Sequence, residues 1–224
     1  MAGIDKSDGE VGEESMALSQ ADIRVVQNEE LKQTRREQIC DAALELFLEK
    51  GFASTTIRDI CARSGVNQAS IYDYIANKND ILRRLLNQLW FRDDVQTLSS
   101  LLAQTDRRLG DVLAEYFRET WEKKGKGALL VYRSVPHMQK DDRKAMRERE
   151  SKLIEDASEE LRKRFGREEG DTRLETLSNL LVYLATFAPM RSWLQQDLPR
   201  EEMIKTAADA AAAMIRQAVG ASED

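Results

Sequence analysis

Asn67, Gln68, Ala69, Ser70, Tyr72 and Tyr74 gather amides, a hydroxyl and phenol rings into eight residues that carry a single charge, Asp73. An ordinary solvated helix face mixes Lys, Glu and Arg. This set instead offers donors and acceptors of the kind that match base edges in a DNA major groove. Gln68 is the strongest candidate for base reading, because its amide can pair bidentately with adenine, a contact that discriminates by about 1–3 kcal/mol. Ala69 and Ser70 permit close approach to a thymine methyl or to the sugar–phosphate chain. Arg58 is placed to reach a guanine or a phosphate, or is simply a solvated charge. Thr55 and Thr56 are candidate phosphate contacts, although helix capping alone accounts for Thr56.

Three helices are needed to present these residues. The first opens at Thr34, three residues before Glu37, in the spacing of a capping box. Ile39, Ala42, Ala43, Leu46 and Phe47 recur on one face of it, and Gly51 ends it. Thr56 and Asp59 form a second capping box, with Ile57 and Ile60 pointing inward. Ser64-Gly65-Val66 reads as the tight turn of a helix-turn-helix, Gly65 supplying a positive φ. Asn67 then caps a third helix, buried through Ile71 and Ile75.

The order A-A-x-x-L-F-x-x-x-G-F, T-T-I-x-x-I and S-G-V-x-x-x-S-I-Y-x-Y-I-x-x-K, running without a gap over some fifty residues, resembles the N-terminal domain of TetR-type transcriptional regulators. Cys61 stands where that family usually has alanine, and Tyr74 where it often has histidine. Both changes keep the pattern, since Cys61 is small and apolar and the Tyr74 hydroxyl can still bond a phosphate. The resemblance implies that Tyr72, Tyr74 and Lys78 anchor the DNA backbone. The alternative for each is packing at the domain junction, Tyr72 being the one most suited to both. The resemblance further implies a homodimer with an apolar effector cavity in its C-terminal helices.

Composition fits this reading. A third of the 224 residues are charged, aromatics are 6%, and there are three prolines. No useful β-alternation is present, so an all-α fold is expected. The net charge of −6 is unevenly spread. Residues 1–31 hold eight acids against two bases, whereas residues 32–86 hold nine bases against seven acids, and affinity for DNA follows the local footprint. Residues 1–31 read as an acidic arm, disordered over 1–20, with 21–33 able to extend the first helix and place Lys32, Arg35 and Arg36 at its start. The arm either touches the DNA backbone or is merely solvated. Residues 32–78 form the expected helix-turn-helix domain and residues 79–224 an effector-binding and dimerisation domain. Cys40 and Cys61 lack metal-ligand spacing and suit a reducing cytoplasm. The longest apolar run, Leu180 to Met190, is too short to span a bilayer.

A long helix is expected from Asn77 to about Gln104, linking the head to further helices around Val112–Phe117, Ala128–Val135, Asp141–Phe165, Leu174–Leu194 and beyond Pro199. Pro189 predicts a kink. The Leu174–Leu194 helix is apolar nearly all round, so its own bundle covers one side and a second subunit the other. Leu180, Tyr183 and Phe187, with Ala207, Ala211, Met214 and Ile215 of the last helix, are the candidate dimer interface. As a deep core helix of a monomer it would show the same pattern. Trp90, Tyr116, Phe117, Trp121, Tyr132, His137, Tyr183 and Phe187 are candidate effector contacts, each taken singly more often core, except His137, which as a loop histidine is more often simply exposed. An apolar or aromatic small molecule or an acyl thioester is the expected effector, and no cofactor or metal is expected.

Catalysis is excluded on inventory. The sequence has no nucleophile elbow, Walker loop, H-E-x-x-H or Cys/His cluster, and only one histidine. The expected function is a cytoplasmic, ligand-responsive DNA-binding regulator, most simply a repressor released from operator DNA by its effector. An architectural or cell-division factor that binds protein through its C-terminal bundle remains the alternative.

Overall fold

Apolar residues at three- and four-residue spacing drive the chain into helices throughout. The computed structural model describes residues 18–21, 29–167 and 172–220, and no strand occurs among them. Glu29–Lys50 (α1) buries Ile39, Ala43 and Phe47 against Ile57–Ser64 (α2), with Phe47 edge-on to Phe52 at 5.1 Å. The N-terminal boundary differs from expectation. Thr34 lies inside α1 and its hydroxyl donates to Glu30 O at 2.9 Å, while Glu37 accepts from Gln33, so no capping box forms there. Lys32 is buried and paired with Glu29 rather than held out in solvent.

Lys78–Leu89 (α3) starts where predicted, Asn77 accepting from Asp80 N, but it stops at Trp90 instead of continuing to Gln104. The amides of Trp90 and Phe91 both turn onto Leu86 O. Thr97 then caps a separate short helix, Leu98–Leu102 (α4), by accepting from Ser100 N. The bundle is completed by Leu109–Lys123 (α5), Gly125–Ser134 (α6), Lys140–Phe165 (α7), Thr172–Leu184 (α8), Phe187–Arg191 (α9) and Arg200–Val219 (α10). The expected Leu174–Leu194 helix is thus interrupted at Ala185 and Thr186. Pro189 explains the break, since its ring would collide with the carbonyl of Ala185 in a continuous helix; in the first turn of α9 its missing N–H is harmless.

The buried apolar side chains form two clusters. One joins α1, α2 and α3 to Ala128, Leu130 and Val131 of α6 and Met146 of α7. The other fills the space among α4, α5, α7, α8 and α10. The head therefore shares its core with α6. The contact is tightest at Gly127, where an added Cβ would lie 2.3 Å from Leu89 O and 3.0 Å from Trp90 N. Because the obstacle is backbone, it has no side chain to swing away. Gly127→Ala is expected to cost about 1–3 kcal/mol by overpacking, read from urea unfolding. A wild-type midpoint would show that α6 and α3 do not press together in solution.

Candidate nucleic-acid interface

The head is assembled by its caps. Thr56 Oγ1 accepts from Asp59 N at 3.1 Å and donates to Asp59 Oδ2 at 2.7 Å, and Asp59 also accepts from Thr56 N and from Lys50 Nζ at 2.7 Å. Lys50 first, and then the Thr56 groups, hold the Asp59 carboxyl well below the usual carboxylate range. Gly65, at φ +72°, turns the chain after α2 and donates to Cys61 O. Val66 is buried in the angle, as expected.

Beyond that turn the predicted third helix is only a single 3-10 turn, Ile71–Asp73, entered through bonds from the Ser70 and Ile71 amides to Asn67 O. Asn67 is not its cap: Ser70 stands at that position without a side-chain cap bond, and Asn67 Oδ1 accepts instead from Ala69 N at 2.8 Å, in the turn that precedes it. Asn, Ser, Ile and Tyr are poor helix formers, and Ser70 Oγ competes for Asn67 O. Ile71 and Ile75 are fully buried, which turns Asn67, Gln68, Ala69 and Tyr72 outward; Tyr72 is 52% exposed. Arg58 is exposed beside them on α2, and Ser70 is half-buried.

Three other predicted contacts are drawn inward. Thr55 is 1% exposed and donates its hydroxyl to Gly51 O at 2.9 Å, so it is a strut of the α1–α2 corner, not a phosphate contact. Lys78 spends its ammonium on Phe52 O at 2.7 Å, Thr55 O at 2.8 Å and Ala53 O at 3.4 Å, and it sits 4.4 Å above the Phe52 ring. Burial lowers its pKa below the ordinary lysine value. Lys78 thus brackets the corner to the start of α3 and does not project as a backbone anchor. Tyr74 is half-buried against the head's core, and its carbonyl accepts from Arg36 Nε at 2.9 Å.

Asp80, whose type and spacing show no more than a place in the first turn of α3, is the hub beneath this surface. Fully buried, it accepts from Ala76 N, from Arg84 Nε and, through Oδ1, from Ala21 N, at 3.1 to 3.2 Å. Arg84 also donates to Gln20 Oε1 and Ala21 O, and Asn87 donates to Leu18 O at 2.8 Å. Leu18 is buried, so residues 18–21 strap onto α3 and are not a disordered arm. Residues 29–33 are helical, in line with the expected extension of the first helix, and the remaining expectations for that arm fall on residues outside those described. Cys40 is buried nearby, and burial pushes its thiol up to about 12, which leaves it neutral and unreactive.

The predicted effector residues do not converge on one place. Trp90 and Tyr116 line a cavity of about 40 Å³ with Thr120, Lys124, Glu150 and Val182, enough for water but not for an organic ligand. There the Trp90 indole donates to Glu150 Oε1 at 2.6 Å. Burial raises the pKa of Glu150 against the opposing pull of the Trp90 N–H and Lys124, and burial lowers that of Lys124. Glu150 and Lys124 were hidden in charge runs. Phe117 is fully buried core, stacked on Trp121 at 6.1 Å. Trp121 lines a separate open groove of about 400 Å³. His137 is exposed in a 3-10 turn. Tyr132, Tyr183 and Phe187 lie on the surface, Tyr132 edge-on to Tyr183. Of the predicted dimer residues, Leu180, Tyr183 and Phe187 are exposed, and Ala207 and Met214 are half-buried. Ala211 and Ile215 are wholly buried, because α10 turns them onto α5 inside its own bundle, and they cannot meet a second subunit.

Residues 39–85 match the family described as bacterial regulatory proteins, tetR family. The chain is 27% identical over 139 residues to the HTH-type transcriptional regulator HbdR of Aromatoleum sp. (strain CIB), covering 61% of this chain and 60% of that protein. It is 36% identical over 63 residues to the HTH-type transcriptional repressor KstR2 of Rhodococcus jostii (strain RHA1), covering 26% of this chain and 31% of the relative. The chain therefore spans less than two thirds of these curated relatives. Among solved structures, a TetR-like transcriptional regulator from Rhodococcus sp. RHA1 superposes with a TM-score of 0.59 at 18% identity, covering 84% of this chain and 97% of that one. A TetR-family regulator from Bordetella parapertussis 12822 gives 0.58 at 17% identity, covering 80% and 93%. These likenesses establish the fold. Among the described residues no helix is long and apolar enough to cross a membrane, and no His/Cys/Asp/Glu group is disposed to hold a metal.

Asp80→Ala would take the paired carboxylate from the buried Arg84 and the acceptor from the Ala76 and Ala21 amides, so it is expected to destabilise the chain by about 3–5 kcal/mol. Asp80→Asn, which retains an acceptor oxygen, should lose less. Equal unfolding midpoints for Asp80→Ala and wild type would show that the hub carries no load.

Proposed function

We propose, on the premise that residues 39–85 form a tetR-family DNA-binding domain, that this chain is a homodimeric transcriptional repressor released from operator DNA by a small-molecule effector. Residues 32–78 act as the reading head and residues 79–224 as the effector and dimer module. One observation carries the reading: a rigid head turns Asn67, Gln68, Ala69 and Tyr72 outward while Ile71 and Ile75 beneath them are fully buried. Gln68 and Arg58 read base edges, and Asn67, Ser70 and Tyr72 position the head on the backbone. Thr56 has its hydroxyl engaged by Asp59 and contributes through the cap.

Dimerisation uses the exposed face of α8 and α9. Leu180, Tyr183 and Phe187 are 44%, 51% and 39% exposed, and Tyr132 adjoins them. A contiguous apolar surface of this kind calls for a cover. A second copy supplies it and sets two heads about 34–36 Å apart, one turn of duplex. Effector binding then favours a dimer in which α3 is tilted and that spacing is lost. The shift is limited by the difference in effector affinity between the two states.

Against a duplex selected from a random pool, Gln68→Ala should weaken specific binding by about 1–3 kcal/mol and leave the salt slope of non-specific binding unchanged. Retention of full specific affinity in fluorescence anisotropy would defeat the assignment. Replacing Tyr183 and Phe187 together with Glu should yield a folded monomer by sedimentation, with operator affinity reduced. A double variant that still sediments as a dimer would place the interface elsewhere.

A further inference from the structure

The open groove between the α5–α6 corner and the α9–α10 connection has the chemistry of a binding site. It measures about 400 Å³, within the range of roughly 300–1,000 Å³ typical of small-molecule pockets. Trp121, Leu129, Pro189, Leu198 and Met203 make it mainly apolar. Two residues that line it each carry an unsatisfied polar atom. Trp121 is 6% exposed and its Nε1–H, shut off from water, has no acceptor among the described residues; Gln195 Oε1 is equally shut off and has no donor among them. Buried polar groups normally find partners, so a donor and an acceptor without partners on two residues that line one groove point to something that completes them. The charged residues lining the groove are both cationic, Lys126 and Arg200, and both are exposed. The nearest acid to Arg200 in sequence, Glu201, is paired with Arg118 at 2.7 Å.

We propose that this groove binds an amphipathic carboxylate: an apolar body over Trp121, Leu129 and Met203, with an anionic head within reach of Lys126 and Arg200. Binding opens the wall far enough for a ligand oxygen to accept from Trp121 Nε1–H, which the groove as it stands closes to water. The Gln195 amide rotates to bond whichever hydrogen-bonding group the ligand presents. The groove rather than the 40 Å³ cavity is then the effector's seat, and this regulatory consequence rests on the repressor reading, whereas the binding itself does not.

The test uses the full chain and a matched set of probes, decanoate, decanol and decylammonium, titrated calorimetrically below their aggregation limits. Decanoate should bind, decanol more weakly, and decylammonium not measurably. Trp121→Phe, which keeps an aromatic ring and removes the donor, should weaken decanoate about three- to tenfold. Lys126→Glu combined with Arg200→Glu, at exposed positions that leave the core untouched, should weaken it more than about tenfold and should abolish the preference over decanol. Decanoate affinity unchanged in both variants, equal binding of all three probes, or no decanoate binding at all would overturn the proposal. Operator binding by the same preparations, measured without probe, keeps the two readings apart. A protein that binds duplex but not decanoate retains the repressor reading and loses this one; a protein that binds decanoate but no duplex does the reverse.

Discussion

One buried carboxylate decides where the segment from Asn67 to Tyr74 points. Asp80 has no access to water, and a charge in that position is tolerable only if its oxygens are filled with donors. Those donors come from three separate pieces of chain: Ala76 at the end of the reading segment, Arg84 one turn along α3, and Ala21 of the N-terminal strap. Satisfying one charge therefore fixes three segments relative to each other. Lys78 does the same from the opposite sign, closing the carbonyls of Phe52, Ala53 and Thr55 over the corner between α1 and α2. The single 3-10 turn has too few backbone bonds to be rigid by itself. Its orientation is borrowed from the buried Asp80, from the half-buried Lys78 and from Ile71 and Ile75.

The head's other end is held by the body. Gly127 of α6 lets Leu89 and Trp90 approach to backbone contact, the Trp90 indole donates into α7 at Glu150, and Arg83 pairs with Asp142 at 2.7 Å. α3 thus meets the body through the apolar side chains it buries with α6, through the backbone approach at Gly127, and through the polar contacts of Trp90 and Arg83. Glu150 and Lys124 sit at this seam in surroundings that penalise both charges. A junction assembled from half-compensated buried charge is one that a modest change in packing can rearrange.

The sequence exposed the local grammar well and the tertiary debts poorly. Thr56 with Asp59, Asn77, Gly65 and the isoleucines at 60, 71 and 75 each announce themselves by type and spacing, because caps and turns are short-range devices. The length of the reading helix was overestimated, since Asn67, Ser70 and the two tyrosines favour a turn that periodicity alone does not reveal. The helix after Asn77 was drawn too long because Leu82 to Trp90 share a stripe that simply ends, with Thr97 starting another. The strap at Leu18 was invisible because its bonds use main-chain groups and a glutamine in a composition that otherwise reads as disorder. Ala211 and Ile215 offered a small-residue face that suits either a partner or α5, and periodicity cannot say which. Leu180, Tyr183 and Phe187 were separable only once α8 had been given its own neighbours.

The α5–α6 corner ties these features together. Lys124 lines the small cavity beside Trp90 and Glu150, Gly125 and Lys126 line the open groove, and Gly127 abuts the end of α3. Gly125 lies against the Pro189 ring, where an added Cβ would find it at 3.4 Å, so the corner is also in contact with α9 and with the neighbourhood of the exposed apolar face. Four consecutive residues therefore touch the groove, the seam, the reading head's last helix and the segment beside the surface that a second copy would cover. The contact between Gly127 and α3 is backbone on backbone and the corner is short. A shift of this corner has little compliance to absorb it, and it passes to Leu89 as displacement. Contiguity of this kind supplies a route but not a magnitude. The magnitude is set by how much more tightly an occupant of the groove holds one position of the corner than the other.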